Sequence, residues 1–183
     1  MHNPTHSISA KEARNLIDLG KPISNVTVNG ILSIEINSCE LKKEVTIENC
    51  VIESLKCINI MFHNQVIIRN SHLKDAAFNF SYFYGGLIID NCRFDKYLDF
   101  EAGGHNNSGN LYLIKNSDFL GFVNFNDCWF TGDVAILNNN FLKGTNIGSK
   151  EQYITLDQEL QIQNNLGQTA IDNHRREDEQ NCL

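Results

Sequence analysis

The chain has no apolar run approaching the ~20 residues that a membrane-spanning helix needs. Its polar start, MHNPTHSISAKEARN, lacks the apolar core of a secretory signal. It also lacks a basic excess: 15 Lys and Arg stand against 22 Asp and Glu, a net charge of -7, the opposite of a nucleic-acid binder's electrostatic footprint. Part of that deficit sits at the end, where seven acids face three basic residues between Lys150 and Leu183. No C-x₂-C pair joins the six cysteines, Cys39, Cys50, Cys57, Cys92, Cys128 and Cys182, so a local zinc or redox motif is not expected. Small buried thiols in a reducing compartment are expected instead. The hydrolase motif G-x-S-x-G and the zinc motif H-E-x-x-H are missing too. These absences point to a cytoplasmic protein that is not an enzyme, uses no metal or cofactor, and touches neither nucleic acid nor membrane directly. With 183 residues, 42% of them hydrophobic and 20% charged, the chain reads as one soluble domain.

What is present is an internal repeat. One octet recurs: apolar residues flanking one position, a polar residue, Asn, then Cys or Ser, any residue, and an apolar closing residue. The copies are VTIENCVI from Val45, VIIRNSHL from Val66, LIIDNCRF from Leu87, YLIKNSDF from Tyr112, VNFNDCWF from Val123 and VAILNNNF from Val134. Weaker copies lie at Ile34–Leu41, Leu55–Phe62 and Ala76–Phe83. The closing residues Leu41, Ile52, Phe62, Leu73, Phe83 and Phe94 are separated by steps of 11, 10, 11, 10 and 11, and Phe119, Phe130 and Phe141 resume the step of 11. Period-2 alternation rich in Val, Ile and Phe marks each unit as a short strand plus a turn. Such a strand cannot bury its apolar side alone, so copies must stack ~4.8 Å apart as a β-solenoid of about 21 residues per coil.

Stacking in phase predicts ladders. Val45, Val66, Leu87 and Tyr112 form one row, and Ile47, Ile68, Ile89 and Ile114 form the next. Cys50, Ser71, Cys92 and Ser117 are small because they face inward where the wall turns. Asn49, Asn70, Asn91 and Asn116 suit the turn itself, since Asn tolerates left-handed backbone.

The strings NCxF, FVNFNDCWF and LIIDNCRF resemble the degenerate branch of the pentapeptide-repeat family over about Val26 to Phe141. The resemblance implies an all-β fold, a square right-handed parallel β-helix. It also implies, as an alternative function, an inhibitor or protector of a type II topoisomerase. An extra residue in most half-coils departs from the ideal five-residue spacing.

Residues 1–22 are expected to hold a capping helix. Ser9 and Glu12 match a capping box, Ala13, Leu16 and Ile17 make an apolar face over Ala10–Leu19, and Gly20 supplies the stop. The solenoid spans 23–148, with an extruded loop at 101–110, EAGGHNNSGN. Residues 149–167 read as a degenerate final coil or a C-terminal cap, and 168–183 as a disordered tail.

On the outside, Glu48, Arg69, Asp90 and Lys115 stack with alternating sign, which leaves no acidic stripe of the kind a duplex-DNA mimic needs. Asp90, Asp95 and Asp99 are candidates for a sugar-cleaving carboxylate pair, but they alternate with Arg93 and Lys96. On the opposite face Met61, Tyr82 and Trp129 precede closing residues and His63 and Tyr84 follow them, with His105 in the loop between. An exposed band of aromatics and Met has the composition of a protein-binding surface. The sequence therefore reads as a module that binds a protein partner through Met61, His63, Tyr82, Tyr84, His105 and Trp129. The alternatives are a topoisomerase-directed protein and a carbohydrate-binding or carbohydrate-cleaving solenoid, in which the band would stack on sugar rings. A homodimer, end to end or through the band, stays open.

Overall fold

The computed structural model describes residues 4, 6–35, 38–151 and 153–172. Residues 36 and 37 of the first weak repeat copy, Cys182, and residues 173–183 of the expected tail lie outside that set. The chain forms a parallel β-solenoid of about seven turns, about 22 residues each, with one short helix near the start.

One wall is a seven-stranded parallel sheet in chain order: Ile23–Ser24, Val45–Glu48, Val66–Arg69, Leu87–Asp90, Tyr112–Lys115, Val134–Leu137 and Leu160–Gln163. Its register aligns Val45, Val66, Leu87, Tyr112, Val134 and Leu160, and beside them Ile23, Ile47, Ile68, Ile89, Ile114, Ile136 and Ile162. Each four-residue strand up to Lys115 alternates buried and half-buried positions, so the inward rows make the core. A ten-stranded sheet forms the adjoining walls. Inside it Phe94, Phe119 and Phe141 stack at 5.1 and 5.0 Å between ring centroids, and Phe78, Phe100 and Phe125 at 5.2 and 5.1 Å. The sequence reading did not single out this second column.

Between the first wall and the next, Asn25, Asn49, Asn70, Asn91, Asn116, Asn138 and Asn164 all adopt φ between 52° and 58°. That is the left-handed region that Asn enters at least cost among residues with a Cβ. Their amides bond along the corner, as from Asn91 Nδ2 to Asn70 Oδ1 at 2.9 Å. The next residue turns inward and is buried at Cys50, Ser71, Cys92, Ser117 and Asn139. This row does more than fit a narrow corner. Ser71 Oγ accepts from the Cys50 amide and donates to the Arg69 carbonyl, and Ser117 does the same for Cys92 and Lys115. The turn interrupts the ladder, and these side chains satisfy the buried backbone groups it strands.

Burial raises the thiols of Cys50 and Cys57, and pushes those of Cys92 and Cys128 up to about 12. Because the thiolate is the reactive form, these four should resist a thiol reagent such as DTNB in the folded protein. They should react on unfolding, whereas half-buried Cys39 reacts first. Counting modified sites by mass spectrometry before and after denaturant checks this; native labelling of Cys92 would contradict the buried corner row, and native labelling of Cys128 the burial beside Trp129.

At the amino end the helix is Ala10–Asp18, one residue shorter than expected. The Ser9 hydroxyl accepts from the Glu12 amide while the Glu12 carboxylate accepts from the Ser9 amide. Ala13 and Ile17 are buried against the first coil, so the helix covers an end that would otherwise expose core. A strand not foreseen, His6–Ser9, precedes it and pairs with Val26–Asn29.

Of the two readings of 149–167, a degenerate coil or a cap, the described residues form the coil: Thr155–Leu156 pairs with Trp129–Phe130, and Leu160–Gln163 with Val134–Leu137. The wall also continues past 167, since the Gln168 and Thr169 carbonyls accept from Thr145 and Gly148, and the Ile171 amide donates to Thr145. The tail assigned from 168 thus includes wall residues through at least Ile171.

Candidate interaction surface

The wall after the second corner is held by short pairings. Glu40–Leu41 pairs with Met61–Phe62, and single bridges carry the row from Met61 to Tyr82, Gly104 and Trp129, where Thr155 follows. In this row Met61, Tyr82 and Trp129 face outward, and the next residue, Phe62, Phe83 or Phe130, is buried.

The third rung breaks the rule. Gly104 takes the place of Tyr82 and Trp129, and a Cβ there would lie 2.7 Å from the Trp129 carbonyl oxygen and 2.9 Å from Phe130 Cε1. With φ at +93°, the position favours glycine on both counts. His105 follows where Phe83 and Phe130 send rings inward, as the bonds from the Phe83 amide to Gly104 and from the His105 amide to Trp129 establish. At φ 55° its ring lies outside, 4.1 Å from Tyr82 and 5.5 Å from Trp129 between centroids. Tyr112 supplies the missing interior ring, 5.7, 6.0 and 4.9 Å from Phe83, Phe100 and Phe130.

The extruded loop expected at 101–110 is accordingly much smaller. Residues 101–106 belong to the wall, and only Asn107, Ser108 and Gly109 are exposed. The turn is pinned at both ends: Asn106 Nδ2 donates to the carbonyls of Asn110 and Asp133, and Asn110 Nδ2 to Tyr84. The physical reason is the Gly103–Gly104 pair, which lets the backbone stay in the ladder instead of leaving it.

The predicted residues come together as one line of rings. His63 and Tyr84 lie 5.6 Å apart, Tyr84 and Tyr82 5.9 Å, Tyr82 and His105 4.1 Å, and His105 and Trp129 5.5 Å. Met61 flanks Tyr82 on the preceding rung. Each end of the line meets a carboxylate. Glu40 lies 3.7 Å from His63 Nε2, and Trp129 Nε1 donates to Asp157 at 3.1 Å. Burial pushes the His105 imidazole below its ordinary value, which disfavours its charged form.

Two exposed apolar residues at the adjoining corner escaped the sequence reading. Ile58 is 45% exposed and Phe80 50%, and Phe80 sits at φ 59° in the row that continues through Ala102 and Asp127. A bulky side chain in that region is an outlier. The signal was available: Phe80 holds the corner position that Asn59 fills one coil earlier.

The carboxylates considered for catalysis do not converge. Asp90 lies on the seven-stranded wall, 3.3 Å from Lys115 Nζ. Asp95 and Asp99 lie along the ten-stranded sheet. Burial works against the charge of Asp95, but hydrogen bonds from Arg93 and His72 outweigh it and hold the carboxyl below its usual range. Asp99 is buried and accepts from Asn124 Nδ2 and the Glu101 amide.

No protein-family model, no curated protein and no solved structure matches this chain.

Proposed function

We propose that the chain is a cytoplasmic, non-enzymatic interaction module of the degenerate pentapeptide-repeat kind. It captures a protein partner on the line His63–Tyr84–Tyr82–His105–Trp129, with Met61 at its flank and Phe80 beside it. The observation that carries this reading is the unbroken contact of five rings along an outer wall, ending on Glu40 and Asp157. Rigid aromatics lose little side-chain entropy on binding and dominate interface energies. Phe80 adds independent support. Left-handed backbone costs a residue with a Cβ roughly 1–2 kcal/mol, and here the side chain gains little burial in return. Strain without a packing return is a mark of functional surface.

Two variants test the reading. Extract from the source organism is passed over immobilised protein, and the captured protein is titrated while the emission of Trp129, the single tryptophan, is followed. Tyr82→Ala with Trp129→Ala should weaken capture at least tenfold, read by calorimetry, with the melting temperature little changed. Phe80→Asn should raise the melting temperature and still weaken binding. Equal capture by wild type and the double variant would sink the proposal. If free oligosaccharides displace the captured material and shift Trp129 emission, the carbohydrate reading replaces it. Inhibition or protection of a type II topoisomerase in a supercoiling assay would instead name the partner.

A further inference from the structure

The seven-stranded wall carries a second unpartnered surface, away from the ring line. Over its second to fifth strands the outward residues form two rows. Thr46, Ile67, Ile88 and Leu113 align in one, and Glu48, Arg69, Asp90 and Lys115 in the other. All eight are half-buried, so an aliphatic stripe lies along a charge row in which signs alternate. Beyond them the rows continue uncharged through Ser24, Ala135, Leu137, Gln161 and Gln163.

We propose that this wall is a homodimer interface, with a second copy packed face to face and its solenoid axis antiparallel. The two-fold axis would lie in the interface along the strand direction, midway between Val66–Arg69 and Leu87–Asp90. That rotation reverses the order of coils but keeps each row opposite itself. Arg69 then meets Asp90 of the second copy, Glu48 meets Lys115, Ile67 meets Ile88, and Thr46 meets Leu113. A row reading minus, plus, minus, plus is complementary to its own reversal. Placing the two-fold along the solenoid axis would instead set charges over the aliphatic row, leaving them desolvated and unpaired.

Two of the four charges have no ionic partner within the chain: among the described residues neither Glu48 nor Arg69 enters a salt bridge, and Arg69 Nε is buried without a hydrogen-bond partner. Asp90 is already held by Lys115 Nζ at 3.3 Å and by Asn116 Nδ2 at 2.9 Å, so the interface would add to or exchange those contacts. A two-fold contact closes on itself and forms no filament. The two-fold overlays six of the seven strands, which at ~4.8 Å each and four residues at ~3.3 Å give a face of roughly 400 Å² per copy, about half the standard ~800 Å². The association is therefore reversible and concentration-dependent. The ring line lies on another wall, so a dimer would present two copies of it.

Sedimentation velocity from micromolar to several hundred micromolar protein tests the proposal. The wild type should shift from monomer to dimer, and Ile88→Lys should weaken association at least tenfold. The decisive variant reverses the whole row: Glu48→Lys, Arg69→Glu, Asp90→Lys and Lys115→Glu together. Alternation within the chain and complementarity between identical copies are both kept, so this variant should dimerise with itself. It should not form mixed dimers with wild type, read by energy transfer between dye-labelled copies. A wild type that stays monomeric throughout, or mixed dimers forming as readily as pure ones, would overturn the proposal. If Ile88→Lys fails to fold by circular dichroism, the row-reversed variant alone decides.

Discussion

Alanine at Phe100 is expected to lower the free energy of unfolding by about 3–5 kcal/mol. The ring is fully buried and stacks on Phe78 at 5.2 Å and Phe125 at 5.1 Å, with Phe83 and Tyr112 edge-on at 6.4 and 6.0 Å. It thus belongs to a column joining three coils and also closes the space across the core. Removing it leaves a cavity whose walls are strands hydrogen-bonded to both neighbours, so collapse around the gap is limited. A domain stabilised by only about 5–15 kcal/mol loses a large share of its margin. Urea denaturation of Phe100→Ala beside Leu142→Ala, which is 67% exposed, measures the difference. The exposed site should change stability by no more than about 0.5 kcal/mol.

The second large effect belongs to Tyr112. Its row otherwise holds Val45, Val66, Leu87, Val134 and Leu160, so Tyr112→Val looks harmless in sequence. In the folded chain it should cost about 3 kcal/mol, because the ring fills the interior volume left when His105 turns outward. Tyr112→Phe separates the ring from the hydroxyl. That hydroxyl is buried without a hydrogen-bond partner, so its removal should be neutral to within about 1 kcal/mol, or stabilising. Thermal melts of the two variants give the comparison. A costly Phe and a harmless Val would reverse the account of why His105 can stand outside.

This pair marks where sequence reasoning reached its limit. The octets were readable because every rung must repeat the same inward pattern, and the Asn corner because left-handed backbone restricts residue choice. The capping box was readable because it is local. The sequence puts His105 in an extruded loop because EAGGHNNSGN matches no octet, yet Gly104 keeps the ladder and His105 swaps faces. The compensation lies at Tyr112, seven residues along, and only the stacked geometry connects them. Strand His6–Ser9 was missed for a related reason. It is an edge strand, largely exposed, and carries no apolar alternation to mark it. Phe80 was overlooked since its oddity is a backbone angle at a corner. The ring line itself was legible because equal phase put Met61, Tyr82 and Trp129 in one row.

Both surfaces follow from one arrangement, the in-register stacking of successive coils. Nuclear Overhauser contacts between backbone protons of Ile47 and Ile68, and of Ile68 and Ile89, test it in solution. Neighbouring rungs ~4.8 Å apart should give detectable cross-strand peaks, while Ile47 and Ile89, two rungs apart, should give none. Cross-peaks tying these isoleucines to other strands, with none between adjacent members of the row, would contradict the stacked register and remove the ring line and the self-complementary wall together.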